Sequence, residues 1–163
     1  MDEDLFRRHT QNALTRAYFF LRFRSRTEKE MRDYLQKKAE RFGWTSAVVD
    51  SAISCLKENN FINDGDFVKR FIEQRNISKP KSAYALQNEL MRFGVEKQLI
   101  SAYFQENPQE EDDLAFKALE KKWRSFRFME KKDRFQKAAY FLSRRGFSFE
   151  IIKNSIQRLE NNE

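Results

Sequence analysis

The stretch "LSRRGFSFEIIKNSI" (142–156) reads as the end of one helix, a glycine stop and the start of another, and "LMRFGVEKQLISAYF" (90–104) repeats it. Leu142 matches Leu90, Gly146 matches Gly94, Ile152 matches Ile100 and Ile156 matches Phe104, each pair 52 positions apart. An apolar residue four before a glycine, with apolar residues six and ten after it, is the pattern of two helices packed across a tight turn. The glycine supplies the left-handed stop. Written twice at a fixed spacing, the unit predicts stacked helical repeats.

The pattern extends in both directions. Leu14, Ala17, Tyr18 and Leu21 form a helical stripe, and "TEKE" (27–30) has the Thr27 and Glu30 spacing of a capping box. The helix it opens carries Met31, Tyr34 and Leu35 and ends near Gly43; Thr45 or Ser46 then caps a third, with Val48, Val49, Ala52, Ile53 and Leu56 on one face. "NNFINDGD" (59–66) is a turn cluster before a helix marked by Phe67, Val68, Phe71 and Ile72, and Pro80 in "SKPKS" (78–82) interrupts the pattern. Pro108 in "ENPQEEDD" (106–113) marks another boundary, its acids placed where a helix dipole favours them.

The expected fold is therefore all-α: a tail at 1–12, then three tandem three-helix repeats at 13–60, 61–107 and 108–160. Leu35 and Gly43 stand where Leu90 and Gly94, or Leu142 and Gly146, stand in the others. Four extra residues precede Gly43, so the second helix of the first repeat is expected to be longer.

Charged residues make up 35% of the 163 residues and mean hydropathy is −0.85, but 17 Phe, 5 Tyr and 2 Trp supply apolar area at helical spacing. With 4 Gly and 2 Pro, turn-rich sandwiches are disfavoured. No apolar run is long enough to span a membrane, and "MDEDLFRRHT" lacks the apolar stretch of a signal peptide. The single cysteine, Cys55, excludes an internal disulfide and suits a reducing cytoplasm.

Little points to catalysis. His9 lies in a charged N-terminus expected to be mobile, Cys55 falls on the apolar side of the third helix, and no Gly-rich phosphate loop appears. One His and one distant Cys cannot make a structural zinc site. No catalytic residue, metal site or cofactor is expected.

The basic residues say more. Net charge is +7, and between Lys117 and Arg145 eleven Lys or Arg face three acids, interleaved with Trp123, Phe126, Phe128, Phe135, Tyr140 and Phe141. Most of these rings are expected in the core. The candidate contact residues for an anionic partner sit at first-to-second helix junctions: Arg22, Arg24 and Arg26 in the first repeat, Lys79 and Lys81 in the second. In the third they are Lys121, Lys122, Arg124, Arg127, Lys131, Lys132 and Arg134, with Arg144 and Arg145 beside the glycine. Interleaved cations and rings are also what single-stranded nucleic acid binding uses. A helix-turn-helix reading of the glycine unit is weak, because residues 96–104 and 149–157 offer one Lys each and no Arg.

Taken together, "ALTRAYFFLRFRSRTEKEMRDYL" (13–35), "INDGDFVKRFIEQRN" (62–76), "SAYALQNELMRFGV" (82–95) and "KAAYFLSRRGFSFEIIKNSI" (137–156) resemble the RecX family of recombination regulators, collinearly over about residues 13–159. The resemblance implies tandem three-helix repeats in an elongated, curved molecule. It also implies a protein that binds the RecA filament in its helical groove, usually inhibits its ATPase and strand exchange, and in some members binds DNA; a cytoplasmic monomer is expected. The family's basic, glycine-containing link before the middle repeat's second helix is "ISKPKS" here, with proline in place of glycine.

Overall fold

A computed structural model describes residues 2–162, and those residues contain nine α-helices, one 3-10 turn and no strand. The helices are α1 (Glu3–Leu21), α2 (Glu28–Phe42), α3 (Ser46–Glu58), α4 (Asp64–Ser78), α5 (Ala83–Arg92), α6 (Lys97–Glu106), α7 (Glu111–Trp123), α8 (Lys131–Ser143) and α9 (Phe149–Glu160), with the 3-10 turn at Arg124–Phe126. The chain forms two compact units. One runs through Val68 and takes in Met91–Leu99; the other comprises Lys69–Leu90 and the chain from Ile100 onward.

Helix starts and stops follow local chemistry. Thr27 and Glu30 form the complete capping box of α2: Glu30 N–H donates to Thr27 Oγ1 at 3.2 Å and Thr27 N–H donates to Glu30 Oε2 at 3.1 Å. Thr45 is the N-cap of α3 without a side-chain bond, and Ser148 caps α9 by accepting from Ile151 N–H. Pro80 follows the end of α4, and Gly43, Gly94 and Gly146 all take positive φ (66°, 80° and 85°). The residue after each glycine (Trp44, Val95 and Phe147) is buried, so the turn swings an apolar side chain inward.

In the first unit α1 and α2 pack on α3 around Ala13, Leu14, Ala17, Met31, Leu35, Val49, Ile53 and Leu56. In the second, α7 and α8 pack on α9 around Leu119, Trp123, Leu142, Phe147, Ile152 and Ile156. Leu35, Leu90 and Leu142 are all fully buried.

One expectation is corrected. Residues 3–12, expected as a tail, belong to α1, because Phe6 packs against the first core; His9 therefore lies within a helix. Met1 is outside the described residues. Cys55 lies on the apolar side of α3 as its spacing predicts, half-buried against the first core, with Asn59 Nδ2 donating toward its sulfur at 3.6 Å. The longer second helix is observed: α2 has 15 residues and α5 has 10.

The glycine turns do more than reverse the chain. Thr27 Oγ1 donates to the carbonyl of Phe93 at 2.6 Å, and Ser82 N–H donates to the carbonyl of Arg145 at 3.0 Å. Each bond ties the buried residue preceding a second helix to the carbonyl just before a later glycine. Carboxylates make the same kind of link: Asp64 Oδ1 accepts from Glu28 N–H at 2.9 Å, and Glu111 Oε1 accepts from Ala83 N–H at 2.7 Å. The first residue of α4 thus caps α2, and the first residue of α7 caps α5. Orphan helix donors are satisfied by side chains 36 and 28 residues ahead.

Candidate functional site: a basic aromatic cleft

The connection from α4 to α5 is clamped against the turn after α8. Arg145 Nη1 donates to the Pro80 carbonyl at 2.9 Å, and no space remains at Gly146, where a Cβ would lie 2.8 Å from Ala85 Cβ. Beside this clamp opens a cleft of about 740 Å³ lined by Lys79, Lys81, Phe126, Gln136, Lys137, Tyr140, Phe141, Arg144 and Arg145. Among the described residues no carboxylate lines it. Lys81 pairs with Glu89, which Arg75 also approaches at 3.2 Å, whereas Lys79, Lys137 and Arg144 have no acidic partner among the described residues. Tyr140 is 65% exposed, with the Arg144 guanidinium 5.7 Å from its ring centroid. Arg145 is different: it lies 4.5 Å from the Phe141 ring centroid, and burial lowers its pKa.

Around the 3-10 turn a smaller recess of about 400 Å³ is lined by Trp123, Arg124, Arg127 and Arg134. Arg134 sits 4.8 Å from the Trp123 ring centroid and 3.7 Å from Glu160. Lys121, Lys122, Lys131 and Lys132 are exposed, Lys131 lying 3.8 Å from Glu160. Trp123 is buried as its spacing predicts, but Phe128 stands 97% exposed.

In the first unit Arg22 is exposed, with its guanidinium 5.8 Å from the Phe19 ring centroid. Arg24 grips Glu30 with both terminal nitrogens. Arg26 stacks 3.9 Å from the Phe20 centroid and 3.6 Å from Glu30; burial and the neighbouring Arg24 lower its pKa. Burial pushes the Glu30 carboxyl up, but the Arg24 bond, the Thr27 N–H and the charges of both arginines outweigh it and leave the pKa below the usual range.

Of the candidate residues, Lys79, Lys81, Arg144 and Arg145 come together in the cleft, and Arg124, Arg127 and Arg134 in the recess. Arg22, Arg24 and Arg26 cluster separately. The spacing of basic residues did not single out Gln136, Lys137 and Tyr140. Their signal was present: positions 137, 140, 141 and 144 share one face of a helix. Among the described residues no three His, Cys, Asp or Glu side chains group as a metal site requires, and no helix is long and apolar enough to cross a membrane.

The fold and this surface define an all-helical repeat protein whose accessible chemistry is cationic and aromatic. Residues 13–56 match the family model of the RecX first three-helix domain, and residues 109–156 that of the third. The regulatory protein RecX of Bacillus cytotoxicus is 31% identical over 160 residues, covering 96% of this chain and 57% of that protein. That of Clostridium perfringens is 32% identical over 142 residues, covering 85% of this chain and 64% of that one. A crystal structure of RecX from Lactobacillus salivarius superposes with a TM-score of 0.73 at 19% identity, covering 93% of this chain and 97% of its own. The chain belongs to the RecX family. It spans little more than half the length of the first curated relatives it matches.

Proposed function

We propose that this protein is a non-enzymatic regulator that docks on the RecA–DNA filament and lowers its ATPase and strand exchange. Family membership supports the partner. The observation that carries the surface is the cleft, where Lys79, Lys137 and Arg144 have no acidic partner among the described residues and surround an exposed Tyr140. Cations left unneutralised in a concave basic site attract an anionic surface and raise its rate of encounter. The mechanism is steric and electrostatic: several weak contacts on one chain combine through effective concentration and hinder rearrangement or addition of filament protomers. The protein works as a monomer in the cytoplasm.

The test is the single-strand-dependent ATPase of the RecA from the same cell. Substoichiometric protein is expected to depress it; an unchanged rate at equimolar protein refutes the inhibitor.

The exposed Tyr140 within a basic cleft favours a second reading, direct binding of single-stranded nucleic acid, with phosphates on the cations and a base on the ring. Tight binding to a single strand without RecA, lost in the Lys79→Ala, Lys137→Ala, Arg144→Ala triple variant, selects it.

A further inference from the structure

The three first-to-second helix junctions share a construction that the basic residues alone do not reveal. In each, one carboxylate sits between two cations: Glu30 with Arg24 and Arg26, Glu89 with Arg75 and Lys81, Glu160 with Arg134 and Lys131. These pairs hold the junction to a helix of the fold. Beside each pinned set stands a cation with no acidic partner among the described residues: Arg22, Lys79 and Arg127.

Beside each of those cations, large apolar side chains face water. Phe23 is 71% exposed and meets Phe19 edge to face at 5.5 Å; Ile77 and Tyr84 are 77% and 72% exposed; Phe128 is 97% exposed. Single exposed apolar residues are ordinary on a soluble protein. Their recurrence at or near each of three successive first-to-second helix junctions, each time close in sequence to a cation with no acidic partner among the described residues, is not scatter.

We infer that each junction is a docking module in which an apolar anchor enters a socket on a partner protein while the adjacent cation meets a carboxylate at the socket's rim. Three like modules on one chain fit a partner that presents the same apolar, acid-edged socket repeatedly, as a protein polymer does. Ile77 decides between a protein and a nucleic acid: an aliphatic side chain fills an apolar socket but offers no π-face for a base to stack on. This inference rests on the filament reading above, and supplies the chemistry of the surface that the filament must offer.

The experiment is cosedimentation with RecA filaments assembled on single-stranded DNA, run beside the same DNA without RecA. The variants are Phe19→Ala with Phe23→Ala, Ile77→Ala with Tyr84→Ala, and Phe128→Ala, then all five together. All of these side chains are largely solvent-exposed, so unchanged melting temperatures verify that the fold survives. Each junction variant is expected to weaken filament binding about tenfold, and the combined variant to abolish it, the size expected when a large apolar contact is lost from an interface. Anchor variants that bind filaments as well as the parent overturn the modules while leaving the filament reading standing. Equal losses on naked DNA identify a nucleic acid as the occupant and overturn the protein socket. A parent protein that binds no filament removes both.

Discussion

The Thr27 hydroxyl accepts from Glu30 N–H at 3.2 Å and donates to the Phe93 carbonyl at 2.6 Å, so one buried side chain both starts α2 and ties it to a turn 66 residues later. Ser82 divides the same duties between two groups: its hydroxyl accepts from Ala85 N–H at 3.1 Å while its own N–H reaches Arg145. Thr27→Val keeps the shape but removes both bonds and leaves the Phe93 carbonyl without its hydroxyl donor. The expected cost is about 2–3 kcal/mol, read by denaturant unfolding. Ser82→Ala loses only the cap and is expected to cost about 1 kcal/mol.

The three turn glycines should not be equivalent. A Cβ on Gly43 meets nothing within 4 Å, so Gly43→Ala carries only the left-handed backbone cost of about 1 kcal/mol. A Cβ on Gly94 would lie 2.6 Å from Lys29 Cβ, and one on Gly146 would lie 2.5 Å from Ser82 Oγ and 2.8 Å from Ala85 Cβ. Gly94→Ala and Gly146→Ala add overpacking to backbone strain and are expected to cost about 2–4 kcal/mol each. Equal melting temperatures for all three would contradict this account.

Arg144 and Arg145 are neighbours with opposite expected phenotypes. Arg145→Ala loses the bond to Pro80 and the contact with Phe141, so it should lower the melting temperature and loosen the link that carries Lys79. Arg144→Ala should leave stability within about 0.5 kcal/mol, because the side chain is exposed and has no acidic partner among the described residues, while weakening attachment to an anionic partner.

Counterion release tests the cleft directly. If Lys79, Lys137 and Arg144 contact phosphates, replacing all three by Ala flattens the dependence of log affinity on log salt by about 2 to 3 units for a single strand. An unchanged slope places the phosphates elsewhere.

The Glu30 carboxylate gives the first unit an acid limb. Its folded pKa is below the usual carboxylate value, so its contribution is present above that value and disappears as pH falls through the folded one. Glu30→Gln keeps a capping acceptor but loses the charge facing Arg24 and Arg26. It should cost about 1 kcal/mol at neutral pH and flatten the loss of stability on acidification below the usual Glu range. Parallel acid-unfolding profiles for the two proteins would count against it.

Much of the fold was legible because its signals are local. Thr27 and Glu30 lie one helical turn apart, Pro80 limits the preceding residue, and Leu35, Leu90 and Leu142 recur at fixed offsets from their glycines. The N-terminal part of α1 was missed because its charged composition masks Phe6, whose burial depends on tertiary contact with the first core. The candidate site was legible as charge but not as availability. Arg24, Arg26, Lys81 and Arg145 look like Arg22, Lys79 and Arg144 in sequence, yet the former are engaged with Glu30, Glu89 or the Pro80 carbonyl.

Where helices begin and end, which face of each is apolar, and the repetition of a glycine-turn unit are all encoded locally, because capping, periodicity and left-handed stops act within a few residues. Long-range packing selects which cations are consumed and which are offered. It also sets which rings stay outside, and it leaves Gly94 and Gly146 no room for a Cβ while Gly43 has it. Those outcomes depend on which residue from a distant helix arrives at each position, and nothing local encodes that arrival.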